Sequence, residues 1–143
     1  MSRRLGRRTC LIDRRRRSHK GEIWYVRFDP TIGSEYEKTR PAVVINENFV
    51  GRTEMRIVVP VTKWKRKHER WPWMIPLRSN STNGLKNDSS ADASQVKSVS
   101  VERFEDRSGK VTGPQLERIL SAVIFCIGYE CPVCRARENK NTQ

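Results

Sequence analysis

The chain has 143 residues, 36% hydrophobic and 31% charged, with a formal net charge of +13. That length suits one domain able to bury a core. No apolar run is long enough to span a membrane, and the basic N-terminus lacks the apolar stretch of a secretory signal, so a cytoplasmic protein without a membrane partner is expected.

The excess charge sits in two places. Residues 1–20 hold nine Lys/Arg against Asp13, and "KWKRKHER" (63–70) holds five against Glu69, while the remainder is close to neutral. Polyanions, nucleic acid or an acidic protein segment, are the partners such clusters attract. Residues 1–19 read as a basic extension, solvated and open to nonspecific RNA contact.

In chain order, "GEIWYVRFDP" alternates with period two, with Trp24, Val26 and Phe28 on one side, and predicts a strand that Pro30 stops. "TIGSEYEKT" is a polar loop, and "PAVVIN" a short buried strand. At their junction Pro41 disfavours the α region for Arg40 and holds it extended. Arg40 is therefore either a solvated charge at a strand end or a donor positioned for an anion. "MRIVVPVT" is a further strand, in which Pro60 argues for an edge position or a bulge.

"KWKRKHERWPW" reads as a basic, aromatic loop leading into "WMIPL", and "RSNSTNGLKNDSSADAS" as a long connection with turn chemistry at Asn83-Gly84. "QVKSVSVERF" alternates again. "GPQLERILSAVIFCIGYE" predicts a helix with Pro114 in its first turn and Gly128 as its C-terminal cap. Its stripe of Leu116, Ile119, Leu120, Val123, Ile124 and Ile127 suits core or dimer packing. The pattern as a whole predicts a mainly β fold, a small antiparallel barrel with a C-terminal helix, over residues 20–129. Residues 130–143 then form a polar, Cys-containing tail.

The cysteines are Cys10, Cys126, Cys131 and Cys134, and "CPVC" has the spacing of a metal knuckle or a redox pair. One such pair supplies two of the about four ligands of a closed zinc site. Free thiols in a tail are the simplest reading, with a reversible disulfide, or zinc on Cys126, Cys131 and Cys134 completed by Cys10 or a second subunit, as alternatives. Signatures of P-loop nucleotide hydrolysis, zinc hydrolysis and nucleophile-elbow hydrolysis do not occur.

Taken together, "KGEIWYVRFDPTIGSEYEKTRPAVVI", "IVVPVT" and "NDSSADASQVKSVS" resemble the motifs of the MazF/PemK family of toxin endoribonucleases over about residues 20–129. The resemblance implies an SH3-like, CcdB/PemK-like barrel that forms a homodimer and cuts single-stranded RNA at short sequences without a metal or other cofactor. It also implies an acidic antitoxin that neutralises the toxin. Arg40 matches the family's catalytic arginine and Thr62 its catalytic threonine. Gln95 matches a glutamine near the substrate groove, and Lys97 stands where arginine is common, a departure that loses a planar, bidentate donor.

Metal-free cleavage of this type uses the ribose 2′-OH as a tethered nucleophile, giving a 2′,3′-cyclic phosphate and a 5′-OH end. A fixed guanidinium suits the surplus phosphorane charge, and a threonine hydroxyl can donate to the same phosphoryl group. The general base is harder to assign, because arginine stays protonated. His19, His68, Glu35 and Glu37 are the candidates. The loop residues Lys63, Lys65, Arg66 and Lys67 can follow phosphates, with His68 as a solvated or RNA-contacting residue and Trp64 as the stacking face. Trp71 or Trp73 serves as a core or rim aromatic. Asn80, Ser81 and Thr82 are candidates for reading base edges. Two alternatives stay open: a CcdB-like poison of a protein target, and a nonenzymatic RNA-binding module.

Overall fold

The computed structural model describes residues 17–36, 38–50 and 54–141. The expected basic extension lies almost wholly outside these residues, as do Cys10 and Glu37. Arg17 to His19 are described, and Ser18 is buried, its hydroxyl accepting from Arg56 Nε at 3.0 Å.

Among the described residues seven strands precede two α-helices: β1 (Glu22–Arg27), β2 (Thr39–Val44), β3 (Met55–Lys63), β4 (Met74–Leu77), β5 (Ser89–Asp92), β6 (Lys97–Ser100), β7 (Phe104–Lys110), α1 (Gly113–Ile127) and α2 (Pro132–Asn141). Every strand pairing is antiparallel. The hydrogen-bonded path runs β4-β5-β3-β2-β1-β7, with β6 joined to β3. The expected mainly β class with a C-terminal helix is observed, although among the described residues β4 and β7 do not pair and the sheet is not closed into a barrel.

Alternation along the strands divides the core between the two faces of the sheet. Ile23, Val43 and Val59 share one register and pack with Ile75, Leu77 and Ile119 of α1. Trp24, Ala42, Val44 and Val58 point the other way and pack with Phe28, Val99 and Phe104. Both faces are thus covered in β2, which is why its sequence reads as an unbroken apolar run. Full burial of each such aliphatic side chain is worth about 1.5–3 kcal/mol.

Pro60 is fully buried in the middle of β3, opposite Ala42, and is not on an edge. On its other side β3 pairs with β6 through Val58 and with β5 from Val61 onward. Pro60 falls in the gap between these two ladders, where a missing N–H costs no rung. The long polar connection expected after β4 contains β5, "SSAD", whose four residues are all buried between β3 and β4. Its sequence has little strand propensity; flanking strands on both sides supply what local preference lacks.

Helix α1 has the expected bounds. Thr112 Oγ1 accepts from the Gln115 N–H at 3.2 Å, Gln115 Oε1 accepts from the Thr112 N–H at 3.0 Å, and Gly128 caps the C-terminus at φ 67°. Ile119 and Ala122 are buried, whereas Ile124, Phe125 and Ile127 stand exposed at the end of the apolar stripe. The segment read as a tail is helical over Pro132–Asn141. Among the described residues no single helix is long and apolar enough to cross a membrane.

Candidate active site

Arg40 lies in β2, extended as the following proline requires, opposite Val26 of β1. Thr62 lies near the end of β3, opposite Ser90 of β5. Both are half-buried and line one cleft of about 260 Å³, with Tyr25, Lys38, Lys63 and Lys86 also in its wall. The floor is carried by strands, so Arg40 and Thr62 sit on rigid backbone, and four cations give the cleft a positive field.

The wall bearing Lys86 follows a turn that Asn83 and Asn80 hold closed. Asn83 Oδ1 accepts from the Leu85 N–H at 3.0 Å and Asn83 Nδ2 donates to the Arg78 carbonyl at 2.7 Å. Asn80 Oδ1 accepts from the N–H groups of Thr82 and Asn83. Asn80 Oδ1 is thus committed to holding the turn. Gly84 sits at φ +65° with the Ser108 carbonyl only 2.2 Å from where a Cβ would stand, so no side chain fits there.

A residue absent from the sequence-based expectations joins Arg40 to Thr62. The Arg40 guanidinium carbon is 5.1 Å from the centre of the Tyr36 ring. The Tyr36 hydroxyl donates to Asp92 Oδ2 at 2.8 Å. Burial, then the Asp92 carboxylate, pushes the phenol well above its ordinary range, while the nearby Thr62 hydroxyl and the Arg40 charge pull it the other way. The phenol is thus neutral and a donor toward Asp92. Asp92 is itself buried, and its Oδ1 accepts from the Ser94 N–H at 3.1 Å and the Ser94 hydroxyl at 2.5 Å. An aromatic in the polar loop "GSEYEKT" is the only local signal of this role.

Gln95 and Lys97 do not line the cleft. Gln95 Oε1 accepts from the Tyr36 N–H at 3.2 Å and its Nε2 donates to the Ser34 carbonyl at 3.1 Å. Lys97 pairs with Glu35 at 3.8 Å and lies over the Phe28 ring at 5.3 Å. Both fasten the β1–β2 loop that carries Tyr36.

The segment 63–70 is more ordered than a loop: Arg66–Arg70 form a short 3-10 helix. Lys63 reaches the cleft wall, and Lys65, Arg66 and Lys67 are exposed. His68 is not a solvated residue; it is 5% exposed, and its Nδ1 accepts from the Lys65 N–H at 3.2 Å and lies 3.0 Å from Ser90 Oγ. Burial, then the charges of Lys65 and Lys67, hold its pKa below the usual histidine range. It borders a second cavity and not the cleft. Trp71 and Trp73 stack on each other at 5.7 Å, as expected for rim aromatics, and Trp64 keeps an open face at 38% exposed.

Of the other base candidates, His19 and Glu35 also lie elsewhere, and Glu37 is outside the described residues. His19 pairs with Glu22 at 3.4 Å and Glu35 with Lys97. No histidine or carboxylate is among the described lining residues of the cleft. The three described cysteines do not gather into a metal site: among the described residues no group of three or more His, Cys, Asp or Glu could hold an ion. Cys131 and Cys134 stand one turn apart at the start of α2. The backbone N–H groups there lower the Cys131 thiol, and hydrogen bonding with Cys131 raises that of Cys134.

Residues 19–127 match the family model of the PemK-like, MazF-like toxin of type II toxin-antitoxin system. The chain belongs to this family. It is similar to endoribonuclease MazF9 of Mycobacterium tuberculosis, 36% identical over 110 residues that cover 73% of this chain and 91% of the relative. It is also 33% identical to endoribonuclease toxin MazF of Escherichia coli, covering 76% and 92%. The fold is like that of MazF from Deinococcus radiodurans (TM-score 0.67, 19% identity, 78% of this chain and 97% of that one). A mycobacterial endoribonuclease solved in complex with its cognate antitoxin shares it too (TM-score 0.62, 16% identity, 80% and 99%).

Proposed function

We propose that this chain is a cytoplasmic toxin that cleaves single-stranded RNA without a metal, and that Arg40 and Thr62 carry the reaction. The observation behind this reading is the shared cleft, with the Arg40 guanidinium against the Tyr36 ring. A scissile phosphate seated there meets a planar guanidinium whose fork matches two phosphoryl oxygens. Arg40 stabilises the charge that grows as the 2′-oxygen attacks phosphorus, and the Thr62 hydroxyl donates to the same group. The products are a 2′,3′-cyclic phosphate and a 5′-OH end. With no described base in the cleft wall, the chain contributes chiefly by holding charge and geometry.

Lys63, Lys65, Arg66 and Lys67 continue the positive surface beyond the cleft and follow the RNA backbone. The same surface suits an acidic antitoxin segment, which would neutralise the toxin by occupying it. The exposed Ile124, Phe125 and Ile127 at the end of α1 offer an apolar face for a second copy of the chain, consistent with a homodimer.

The test is incubation of the purified protein with a long single-stranded RNA in EDTA, followed by mapping of fragment 5′ ends. Discrete cuts ending in 5′-OH, abolished in Arg40→Ala, are expected. A mobility shift without cuts would make the protein a binding module, and no effect on RNA would turn attention to a protein target.

A further inference from the structure

We propose that the cavity beside the β3–β4 connection seats one unpaired nucleobase of the RNA, with Trp64 as its stacking wall and His68 Nε2–H as its donor. This rests on the phosphate-holding role of Arg40 and Thr62 and extends that site by a neighbouring nucleotide.

The cavity encloses about 290 Å³, and Trp64, His68, Trp71, Ile75, Ser90 and Arg118 are in its lining. His68 is its distinctive group. The Lys65 N–H donates to Nδ1, and Ser90 Oγ lies at hydrogen-bond distance from the same atom, so the ring proton is assigned to Nε2. Among the described residues Nε2 has no protein partner, although His68 is only 5% exposed. A buried donor without an acceptor is costly, and in native proteins it marks a place for a ligand or a water. Burial, then the charges of Lys65 and Lys67, favour the neutral ring, which presents a donor without adding a positive charge.

The aromatic groups have distinct states. Trp71 is committed: it stacks on Trp73, tilts against His68 at 5.8 Å, and has the Lys67 ammonium 5.4 Å from its ring centre. Trp64 has no such ring or cation neighbour among the described residues, and its backbone is fixed by donation to the Asp88 carbonyl at 2.9 Å. A half-open indole beside Pro72, Met74 and Ile75, with the neutral His68 donor set among Ser90, Arg118 and Glu69, fits a flat heterocycle bearing a carbonyl oxygen or ring nitrogen. Arg118 in the lining suits a flanking phosphate, Glu69 in the same lining does not, and exposed Lys65 and Arg66 lie next in the chain to the lining residue Trp64.

Placement favours RNA as the occupant over an acidic peptide. Lys63 lines the cleft and Trp64 lines this cavity. Thr62 and Ser90 form one rung of the β3–β5 ladder, the first in the cleft and the second in this cavity. A strand whose phosphate sits on Arg40 and Thr62 therefore passes directly to it.

The intact protein is titrated with AMP, GMP, CMP and UMP while tryptophan fluorescence is followed, and RNA fragments cut by wild type, Trp64→Ala and His68→Leu are mapped. One nucleotide is expected to bind at least about tenfold tighter than the weakest. Trp64→Ala should lose about tenfold in that affinity and the base preference at one position flanking the cut. His68→Leu should lose discrimination more than affinity. Trp64→Ala that binds and selects like wild type overturns the seat, whatever the folding of His68→Leu. Quenching by an acidic aromatic peptide and by none of the nucleotides overturns it in favour of a protein segment. A wild type that binds nucleotides selectively but cuts no RNA supports the seat and refutes the ribonuclease reading instead.

Discussion

The guanidinium of Arg40 lies 5.1 Å from the centre of the Tyr36 ring. The phenol is anchored in turn by its 2.8 Å hydrogen bond to buried Asp92 and lies near Thr62. The two residues proposed for catalysis therefore share one aromatic support. That support predicts a graded response. Tyr36→Phe keeps the ring beside Arg40 but removes a donor from a buried carboxylate, at a cost of about 1–3 kcal/mol in stability. Tyr36→Ala also frees the guanidinium and should lower kcat well below that of Tyr36→Phe. Equal kcat values for wild type and Tyr36→Ala would remove Tyr36 from the mechanism.

Arg40→Lys keeps the charge and loses the planar fork. If Arg40 grips two phosphoryl oxygens in the transition state, kcat falls by about a hundredfold or more. The melting temperature should change little, because Arg40 is only half-buried. Single-turnover cleavage beside a thermal melt makes the comparison. A lysine variant with the wild-type rate would mean that a point charge suffices.

Thr62→Val retains shape and strand preference while deleting the hydroxyl. The variant should fold, since Thr62 pairs through its backbone with Ser90, and should cleave at least about tenfold more slowly, about 1.4 kcal/mol in the barrier. Thr62→Ser should recover part of the rate. Full activity in the valine variant would leave the hydroxyl without a chemical role.

Neutralising Lys65, Arg66 and Lys67 should flatten the dependence of log K on log salt by about 0.7 for each phosphate that no longer meets a cation. Binding of an uncleavable deoxyoligonucleotide at several salt concentrations measures this slope. An unchanged slope would take the 3-10 helix out of the RNA path.

His68 also makes stability depend on pH. Its folded pKa is depressed below the unfolded value of about 6.5, so the unfolded chain takes up the proton first as pH falls. Its contribution is present above about pH 6.5 and is lost as pH drops through the folded pKa. Burial, Lys65 and Lys67 oppose protonation, while Asp92 favours it; Arg118 and Glu69, of opposite sign, line the same cavity. Melting temperatures from about pH 7 to about pH 5 should fall less steeply in His68→Gln than in wild type. Parallel curves would remove His68 as the source.

Several features are legible in residue order alone because they depend on near neighbours. Pro41 sets the extended backbone of Arg40 one residue away, and Thr112 with Gln115 starts α1 within a single turn. The alternation of β1 announces its two faces, and the crowding of cations at 63–70 announces an exposed positive surface. The family motifs place Arg40 and Thr62 on strands, and the two residues share one cleft.

Other features depend on partners far away in the chain. Tyr36 meets Asp92 across 56 residues and Gln95 across 59, so no local period marks that support. "SSAD" becomes a strand only because β3 and β4 flank it, and Pro60 is tolerated only because two ladders change over beside it. The charged neighbours of His68 suggest a solvated ring, yet folding buries it against Ser90 and Trp71. Sequence thus determined the backbone conformations and charge clusters that short-range sterics and composition dictate. Tertiary structure decided which side chains meet, because burial and hydrogen bonding reward pairings that chain connectivity leaves open.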